Sequence, residues 1–389
     1  MTSRKMPPGF LLSLNPTSYG ICRNLRDAPF PLHMFHKGGG LEPFLSKDVK
    51  IHRISIDTEP EWAVKLLAAQ CAGSGRPGIV FASSDTELAF LEKYRDELTP
   101  AASLPIQPPG IAAAVSDKLR FFETMRDLGI PSPRSYSIDA GSDSATFLPC
   151  LVKPVHSGEW KTEEASLALS GRKGFVANRH EEFAEIVRKV RPFSSKLLVQ
   201  EIIESREGES YSYCCFSDRA GRVLWGFVTQ KLLQFPAGFG TAILCGTADR
   251  PDIAAFGRKV VESIGLEGVS EVEILADRGG KLFAIEINAR HWLQHRLSTR
   301  LGVNISLLDY YYRTGDSAMV EQFVSAPVRS GRYLWIDDFG YIAHFLKQVT
   351  RGGNLHLKSF SGSSLEFSLL ERGKGLALVS LLRRRIGGR

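Results

Sequence analysis

At 389 residues, with 43% hydrophobic and 23% charged side chains, the chain has the composition of an ordinary globular protein and the length for two or three domains. Its 49 basic and 42 acidic residues leave a net charge of +7, spread along the chain with no basic block interleaved with aromatics, which argues against a dedicated nucleic-acid surface and suits small anionic partners. The 6 cysteines form no CxxC pair and no ladder of spacings, so neither a zinc site nor a disulfide framework is expected, and a reduced, cytoplasmic setting is.

The N-terminal apolar run is cut short at Asn15-Pro16 and carries no small-residue cleavage site, so it reads as a poor signal peptide. Nowhere do 18 apolar residues run uninterrupted, and no membrane span is expected. Residues 10–14 read as a strand, 15–20 as a turn and 21–26 as the start of a helix. Strands at 32–35, 49–56 and 78–82 alternate with helices at 59–70 and 84–98, a βαβ series that predicts a parallel sheet covered on both faces. The loop at 15–20 is not GxGxxG, so this Rossmann-like unit is not expected to bind NAD.

Proline and alanine cluster at 100–114, a boundary composition. Ser116 or Asp117 then caps a helix that runs to Leu128 and stops at Gly129-Ile130-Pro131. A strand at 150–153, a polar loop at 154–162, a basic loop at 170–174, a helix at 180–190 and a strand at 196–200 follow. Residues 209–232 alternate as two antiparallel strands around Asp218-Arg219-Ala220-Gly221, followed by a loop at 236–240 and a helix at 251–264. After the segment treated next come helices at 291–301 and 306–313, a strand at 333–336, a helix near 338–349, a Gly/Ser-rich stretch at 351–364 and a basic tail.

The segment 271–292, EVEILADRGGKLFAIEINARHW, reads as a β-hairpin leading into a cluster of Glu, Asn, Arg and His. A loop of two or four residues sets Glu273 across from Ala284 and Glu271 across from Glu286; a three-residue loop breaks that parity. Val272, Ile274, Phe283, Ile285 and Ile287 then share the apolar face, and Glu271, Glu273, Glu286 and Asn288 the other. Carboxylates so close repel unless a cation lies between them, and Mg²⁺ suits one or two carboxylates plus phosphate oxygens; the plain alternative is a solvated strand face.

In order, the chain offers Lys118 at a helix start, Lys153 at a strand end, a glycine-bearing loop, the segment Gln200-Glu201-Ile202-Ile203, and the hairpin. With the phrases SSDTELAFLEKYRDEL, SDKLRFFETMRDLGIPSP, LVKP, LVQEII, FPAGFGTA and VEIL…FAIEINARHW…LGVN, this series resembles the ATP-grasp superfamily over roughly residues 10–310. It is most similar to the carboxylate-amine ligase branch, which includes D-aspartate ligase-like enzymes. The resemblance implies an α/β and α+β chain: a Rossmann-like domain at 1–112, a central ATP-grasp subdomain with a lid at 113–196, a C-terminal subdomain with the metal site at 197–325, and an extension at 326–389. It implies amide-bond formation through an acyl phosphate, with release of ADP and phosphate. Phosphoryl transfer to a non-carboxylate acceptor, and a silent nucleotide-binding scaffold, are the rivals.

Carried over residue by residue, the resemblance gives Lys118 and Lys153 to the nucleotide phosphates, with Lys173 as a further candidate, and Ser157 and Gly158, or Gly171 and Gly174, to a phosphate-cradling lid. It gives Glu201 and Ile203 to the adenine hinge, and Glu209, with Glu207 competing, to the ribose. Lys231 would face the γ-phosphate or acyl phosphate. Glu273, Glu286 and Asn288 would hold two Mg²⁺ ions, for which Mn²⁺ substitutes, and Arg290 would grip a carboxylate or acyl phosphate. Biotin-carboxylase relatives have a glutamate four residues after the matching arginine; Gln294 stands here, which argues against bicarbonate chemistry and leaves the amine's general base unassigned. The partners the resemblance implies are a small carboxylate and an amine, amino acids by analogy, with a homodimer left open.

Overall fold

The computed structural model describes residues 6–72, 75–139, 145–156, 159–194, 196–235, 240–350 and 362–371. The alternating N-terminal pattern becomes five parallel strands, β1 (Gly9–Leu11), β2 (Leu32–Phe35), β3 (Val49–His52), β4 (Gly78–Phe81) and β5 (Ala102–Ser103), in the order β3-β2-β1-β4-β5. Phe10, Leu12, Val80 and Leu67 fill one face of this sheet, and Leu11, Met34, Ile79 and Phe81 the other, as a doubly covered parallel sheet requires. The expected turn at 15–20 is instead the first part of the helix Pro16–Asn24. Asn15 accepts from the Thr17 and Ser18 amides while Ser18 Oγ accepts from the Asn15 amide, so Asn-Pro marks a helix start here.

The proline- and alanine-rich stretch likewise contains a helix, Pro109–Ser116. Ser116 ends it, donating to the Ala112 carbonyl, and Asp117 alone caps the next helix, Lys118–Asp127, through the Leu119 and Arg120 amides. Four antiparallel strands follow: β6 (Ser135–Ile138), β7 (Cys150–Pro154), β8 (Phe175–Ala177) and β9 (Leu197–Glu201), ordered β6-β9-β7-β8. Phe183, Val187 and Val190 recur at helical spacing on the helix His180–Val190 and close the core over this sheet.

The third sheet has seven strands: β10 (Ser210–Ser217), β11 (Val223–Phe235), β12 (Thr241–Ala248), β13 (Gly268–Ala276), β14 (Leu282–Asn288), β15 (Arg332–Ile336) and β16 (Ser363–Phe367), in the order β14-β13-β10-β11-β12-β15-β16. One face packs on the helices Lys118–Asp127 and Pro251–Ile264 through Phe121, Met125, Val260, Val261, Val272 and Ile274. The second of these helices lies so close that a Cβ on Gly257 would stand 2.2 Å from Tyr213 Cβ, which only glycine avoids. Residues 363–364, read above as part of a Gly/Ser-rich stretch, open β16, which pairs in parallel with β15. The helix expected at 291–301 is reduced to Leu297–Arg300. Among the described residues no helix is long and apolar enough to cross a membrane.

β16 is tied to the N-terminal sheet through one buried carboxylate. Glu366 is 0% exposed and meets Arg23 at 2.8 Å, Arg296 at 2.7 Å and Arg300 at 2.6 Å. Burial alone would raise its pKa, but Arg296, Arg23 and Arg300 outweigh it and hold the group below the usual glutamate value. Arg23 comes from the first helix and Arg296 from the segment after the hairpin, so the pairing joins three distant parts of the chain. Glu366→Ala leaves the mostly buried Arg296 without its carboxylate, while Arg23 keeps Glu371, and is expected to cost about 3 kcal/mol in urea unfolding.

Candidate active site

The turn of the hairpin is three residues long. The Asp277 amide donates to the Lys281 carbonyl at 2.9 Å, the Gly280 amide donates to the Asp277 carbonyl at 3.0 Å, and Gly280 has φ +85°. This is the loop length that breaks the simple parity, and a bulge restores it. Leu275 pairs with Phe283 and Ile274 with Ala284, then the register skips Ile285, so that Glu273 pairs with Glu286 and Glu271 with Asn288. The pairings expected from a two- or four-residue loop are thereby corrected. Glu271, Glu273, Glu286 and Asn288 still share a face. The buried apolar face is Val272, Ile274, Ala284 and Ile287, while Phe283 lies opposite Leu275 and the extra residue Ile285 lines a cavity.

That cavity, about 540 Å³, lies between the four- and seven-stranded sheets. Its walls bring together Lys118, Lys153, Lys173, Glu201, Ile203, Lys231, Glu273 and Glu286, which are scattered over 169 positions of sequence from Lys118 to Glu286, counted inclusively. Lys153, at the end of β7, donates to Gln200 Oε1 on β9 at 2.9 Å. Burial and the neighbouring Lys118 charge lower its pKa to about 8, against the pull of Glu286 and Glu273. Lys173 donates to Thr241 Oγ1 at 2.9 Å.

Lys231 reaches Glu273 Oε2 at 2.6 Å. Burial works against its charge, yet Glu273 and Glu271 hold the ammonium above its ordinary value; Lys231 in turn holds Glu273 below the usual carboxylate range despite burial. Glu271 is 4% exposed and accepts from Gln294 Nε2 and Asn288 Nδ2, each at 3.0 Å; burial and the Glu273 charge push its pKa up. The crowded carboxylates expected from the sequence are thus accommodated by one ammonium and two amides.

Arg290 donates from Nε to Asp85 Oδ1 at 2.7 Å, from Nη2 to Asn288 Oδ1 at 2.8 Å and from Nη1 to the His291 carbonyl at 3.1 Å. Asp85 had no place in the sequence reading, because in Ser84-Asp85-Thr86-Glu87 it looks only like the first turn of a capped helix. His291 and His295 are buried, with His291 Nε2 3.1 Å from Ser306 Oγ and His295 Nδ1 2.7 Å from the Trp292 carbonyl; burial drives both pKa values down, His295 to about 4.

Other residues are placed less directly. The Glu201 amide donates to the Arg134 carbonyl at 2.8 Å and its carboxylate takes Arg134 Nη2 at 3.0 Å, while Ile203 stands in the cavity wall. Glu209 accepts from Tyr211 at 3.3 Å and lies 3.7 Å from Arg250, whereas Glu207 lines the cavity. Ser157 and Gly158 lie outside the described residues.

Glu273 and Glu286 are direct cross-strand partners, and Asn288 is two residues further along the same face. Two carboxylates and an amide oxygen fit Mg²⁺, a hard ion that binds through few protein oxygens and completes its shell with phosphate and water. Among the described residues no group of three or more His, Cys, Asp or Glu is placed to hold a metal alone, so an ion here would need oxygens from a bound substrate.

No protein-family model matches the chain. It is 22% identical over 199 residues to the D-alanine–D-alanine ligase of Chromohalobacter salexigens, a match covering 48% of this chain and 59% of that protein, less than two thirds of the relative's own length. Among solved structures it is similar to the L-amino acid ligase of Bacillus licheniformis, at a TM-score of 0.59 and 16% identity over 83% of this chain and 75% of that one. It is also similar to the ADP complex of purK, N5-carboxyaminoimidazole ribonucleotide synthetase, at a TM-score of 0.64 and 12% identity over 90% and 87% of the two chains. These structural likenesses show a shared fold.

The half-buried Lys153 yields a test of the cavity's electrostatics. A lysine whose pKa is lowered in the folded chain weakens the fold while protonated. That destabilisation is complete below about pH 8 and fades as the pH rises toward the ordinary lysine range, so unfolding free energy climbs across this window. Urea midpoints between about pH 8 and 10 are expected to rise in the parent chain and to rise less in Lys153→Met.

Proposed function

We propose that this chain, an ATP-grasp protein by fold, is an ATP-dependent ligase that joins a small carboxylate to an amine through an acyl phosphate. The observation that carries this reading is the charge arrangement of one cavity: Glu273 and Glu286 on one sheet, and Lys118 and Lys153 from the elements opposite, all in its wall. A polyphosphate is the ligand that satisfies both sets, because its oxygens accept from ammonium groups on one side and share a divalent cation with carboxylates on the other. The D-alanine–D-alanine ligase relatives and the L-amino acid ligase neighbour support amino acids as substrates, and the D-aspartate ligase-like branch is the finer assignment that the sequence phrases favour.

In this reading a substrate carboxylate oxygen forms a bond to the γ-phosphorus of ATP as the bond from that phosphorus to the ADP oxygen breaks. The amine nitrogen then forms a bond to the acyl carbon, the acyl–oxygen bond breaks, phosphate departs with that oxygen, and the nitrogen gives up a proton. Lys153 and Lys118 neutralise phosphate charge, and a bound polyphosphate would favour the charged form of Lys153 that burial disfavours. Lys231 keeps Glu273 ionised and stands in the same cavity wall for the acyl phosphate. Ile202 and Ile203 offer the apolar surface for the base, and the position of Glu207 in the cavity wall supports it over Glu209 as the ribose partner. Mg²⁺, for which Mn²⁺ would substitute, would be held by Glu273, Glu286 and Asn288 and would supply charge neutralisation at the transferring phosphoryl group.

Arg290 is fixed from two sides, by Asp85 and by Asn288, and lies within electrostatic reach of Glu286, which suits its planar fork to a substrate carboxylate or acyl phosphate. The two nearby histidines are buried with their pKa values pushed down, which disfavours them as proton carriers. Gln294, holding Glu271 by a neutral amide, supports amine ligation over bicarbonate chemistry.

Incubation with Mg-ATP and pooled amino acids and amines is expected to release ADP, and added hydroxylamine to divert the product to a hydroxamate. No ADP above background would sink the ligase reading; ADP without hydroxamate would move it to another phosphoryl acceptor. Glu286→Gln is expected to lower turnover by about a thousandfold while nucleotide binding, followed by calorimetry, persists. Unchanged turnover would remove Glu286 from the site.

A further inference from the structure

A second cavity, about 690 Å³, lies between the N-terminal parallel sheet and the opposite end of the seven-stranded sheet. Ser210, at the start of β10, lines the first cavity, and Arg219, just past the end of that strand, lines this one. Eight residues of extended chain separate them, roughly 25 Å, while at their nearest in sequence the linings are three residues apart, Glu286 on the first cavity and Ala289 on this one, so the two are distinct but neighbouring spaces. Arg95, Arg219, Arg290 and Arg313 line the second cavity against two carboxylates, Asp309 and Glu267.

Arg313 is the built element. Its side chain is 9% exposed, Nη1 donates to the Ser103 carbonyl at 3.1 Å, Nη2 donates to Asp309 Oδ2 at 2.8 Å, and the guanidinium lies 5.4 Å from the centre of the Phe81 ring. These contacts pin the fork and leave its Nε–H buried without an acceptor. That Nε–H is closed off from solvent, so what Arg313 can offer the cavity is the remaining N–H groups of Nη1 and Nη2. Arg95 is held from another element, by Glu92 at 2.6 Å and the Gln107 carbonyl at 2.9 Å. Arg219, 88% exposed, stands at the cavity rim and pairs loosely with Glu267 at 3.6 Å. Guanidinium groups from three separate elements thus border one space of ligand size.

We propose that this rear cavity is a second binding site, for a small molecule bearing an oxyanion group, carboxylate or phosphate, with Arg313 as its anchor and Arg95 and Arg219 as its walls. Paired N–H donors of arginine match such groups bidentately. The proposal goes beyond the ligase reading and does not depend on it. Because Arg290 and His291 also border the cavity, a ligand seated there rests against the segment that follows β14.

The test is calorimetric titration of the full chain with citrate and, separately, with inorganic phosphate, both in a Lys153→Met background that removes a cation from the first cavity. Saturable binding of at least one probe below about 10 mM is expected, and which probe binds tells carboxylate from phosphate. Arg313→Met is expected to weaken that binding at least about tenfold. Since Arg313→Met leaves buried Asp309 without its partner, the pair Arg95→Ser with Arg219→Ser, which spares that contact, is measured beside it with the same expectation. No binding of either probe, or affinity unchanged in the Arg95/Arg219 pair, overturns the proposal.

Discussion

The contact between Lys231 and Glu273 governs how the candidate site can exist at all. Three glutamates, Glu271, Glu273 and Glu286, lie on one face of the β13–β14 hairpin, and a sheet cannot hold that much like charge in a buried place without compensation. The structure divides the problem. Glu273 takes an ammonium at 2.6 Å and stays ionised, while Glu271 is walled in by two neutral amides and pushed toward the protonated form. Glu286 is left bordering the cavity, across from Glu273 and within electrostatic reach of Lys153. Glu273 is thereby held in its charged form, and Glu271 serves to orient Asn288 and Gln294.

That division depends on a single inserted residue. A three-residue turn puts the hairpin out of step with the pattern of its side chains, and the bulge at Ile285 puts it back before the chain reaches Glu286. The carboxylate face survives because two irregularities cancel. Ile285 itself, freed from the pairing, becomes part of the cavity wall. A bulge beside a functional face re-aims side chains, and here it also sets which residue fills the core, Ala284 in place of Phe283.

The second constraint is the way distant segments are clamped together. Arg23, Arg296 and Arg300 meet on Glu366, and Arg290 reaches Asp85 across the boundary with the N-terminal sheet. Each contact joins residues far apart in sequence. The parallel sheet, which shows no glycine-rich dinucleotide loop, therefore contributes to the candidate site by holding Arg290 in place.

Much of the architecture was legible in the chain itself. Strand and helix periodicity marked the parallel sheet, the helix Pro251–Ile264 and the strands β10, β11, β13 and β14, because alternation and 3.6-residue spacing are local consequences of burying one face. Punctuation was less reliable: Asn15-Pro16 and the proline-rich stretch near 109 read as turn and linker but begin helices, since the same residues that favour turns also satisfy the free amides of a first helical turn. The sequence by itself, through its resemblance, named Lys118, Lys153, Glu273, Glu286 and Asn288 as candidates, and its alternation set Glu286 and Asn288 on one face of their strand. Only the tertiary structure decided that Glu273 opposes Glu286, that Lys231 answers Glu273, that Asp85 holds Arg290 and that Glu207 rather than Glu209 borders the cavity. Those facts rest on a one-residue bulge and on contacts between separate sheets, and neither leaves a periodic trace in the chain, because each is set by how finished elements pack against one another.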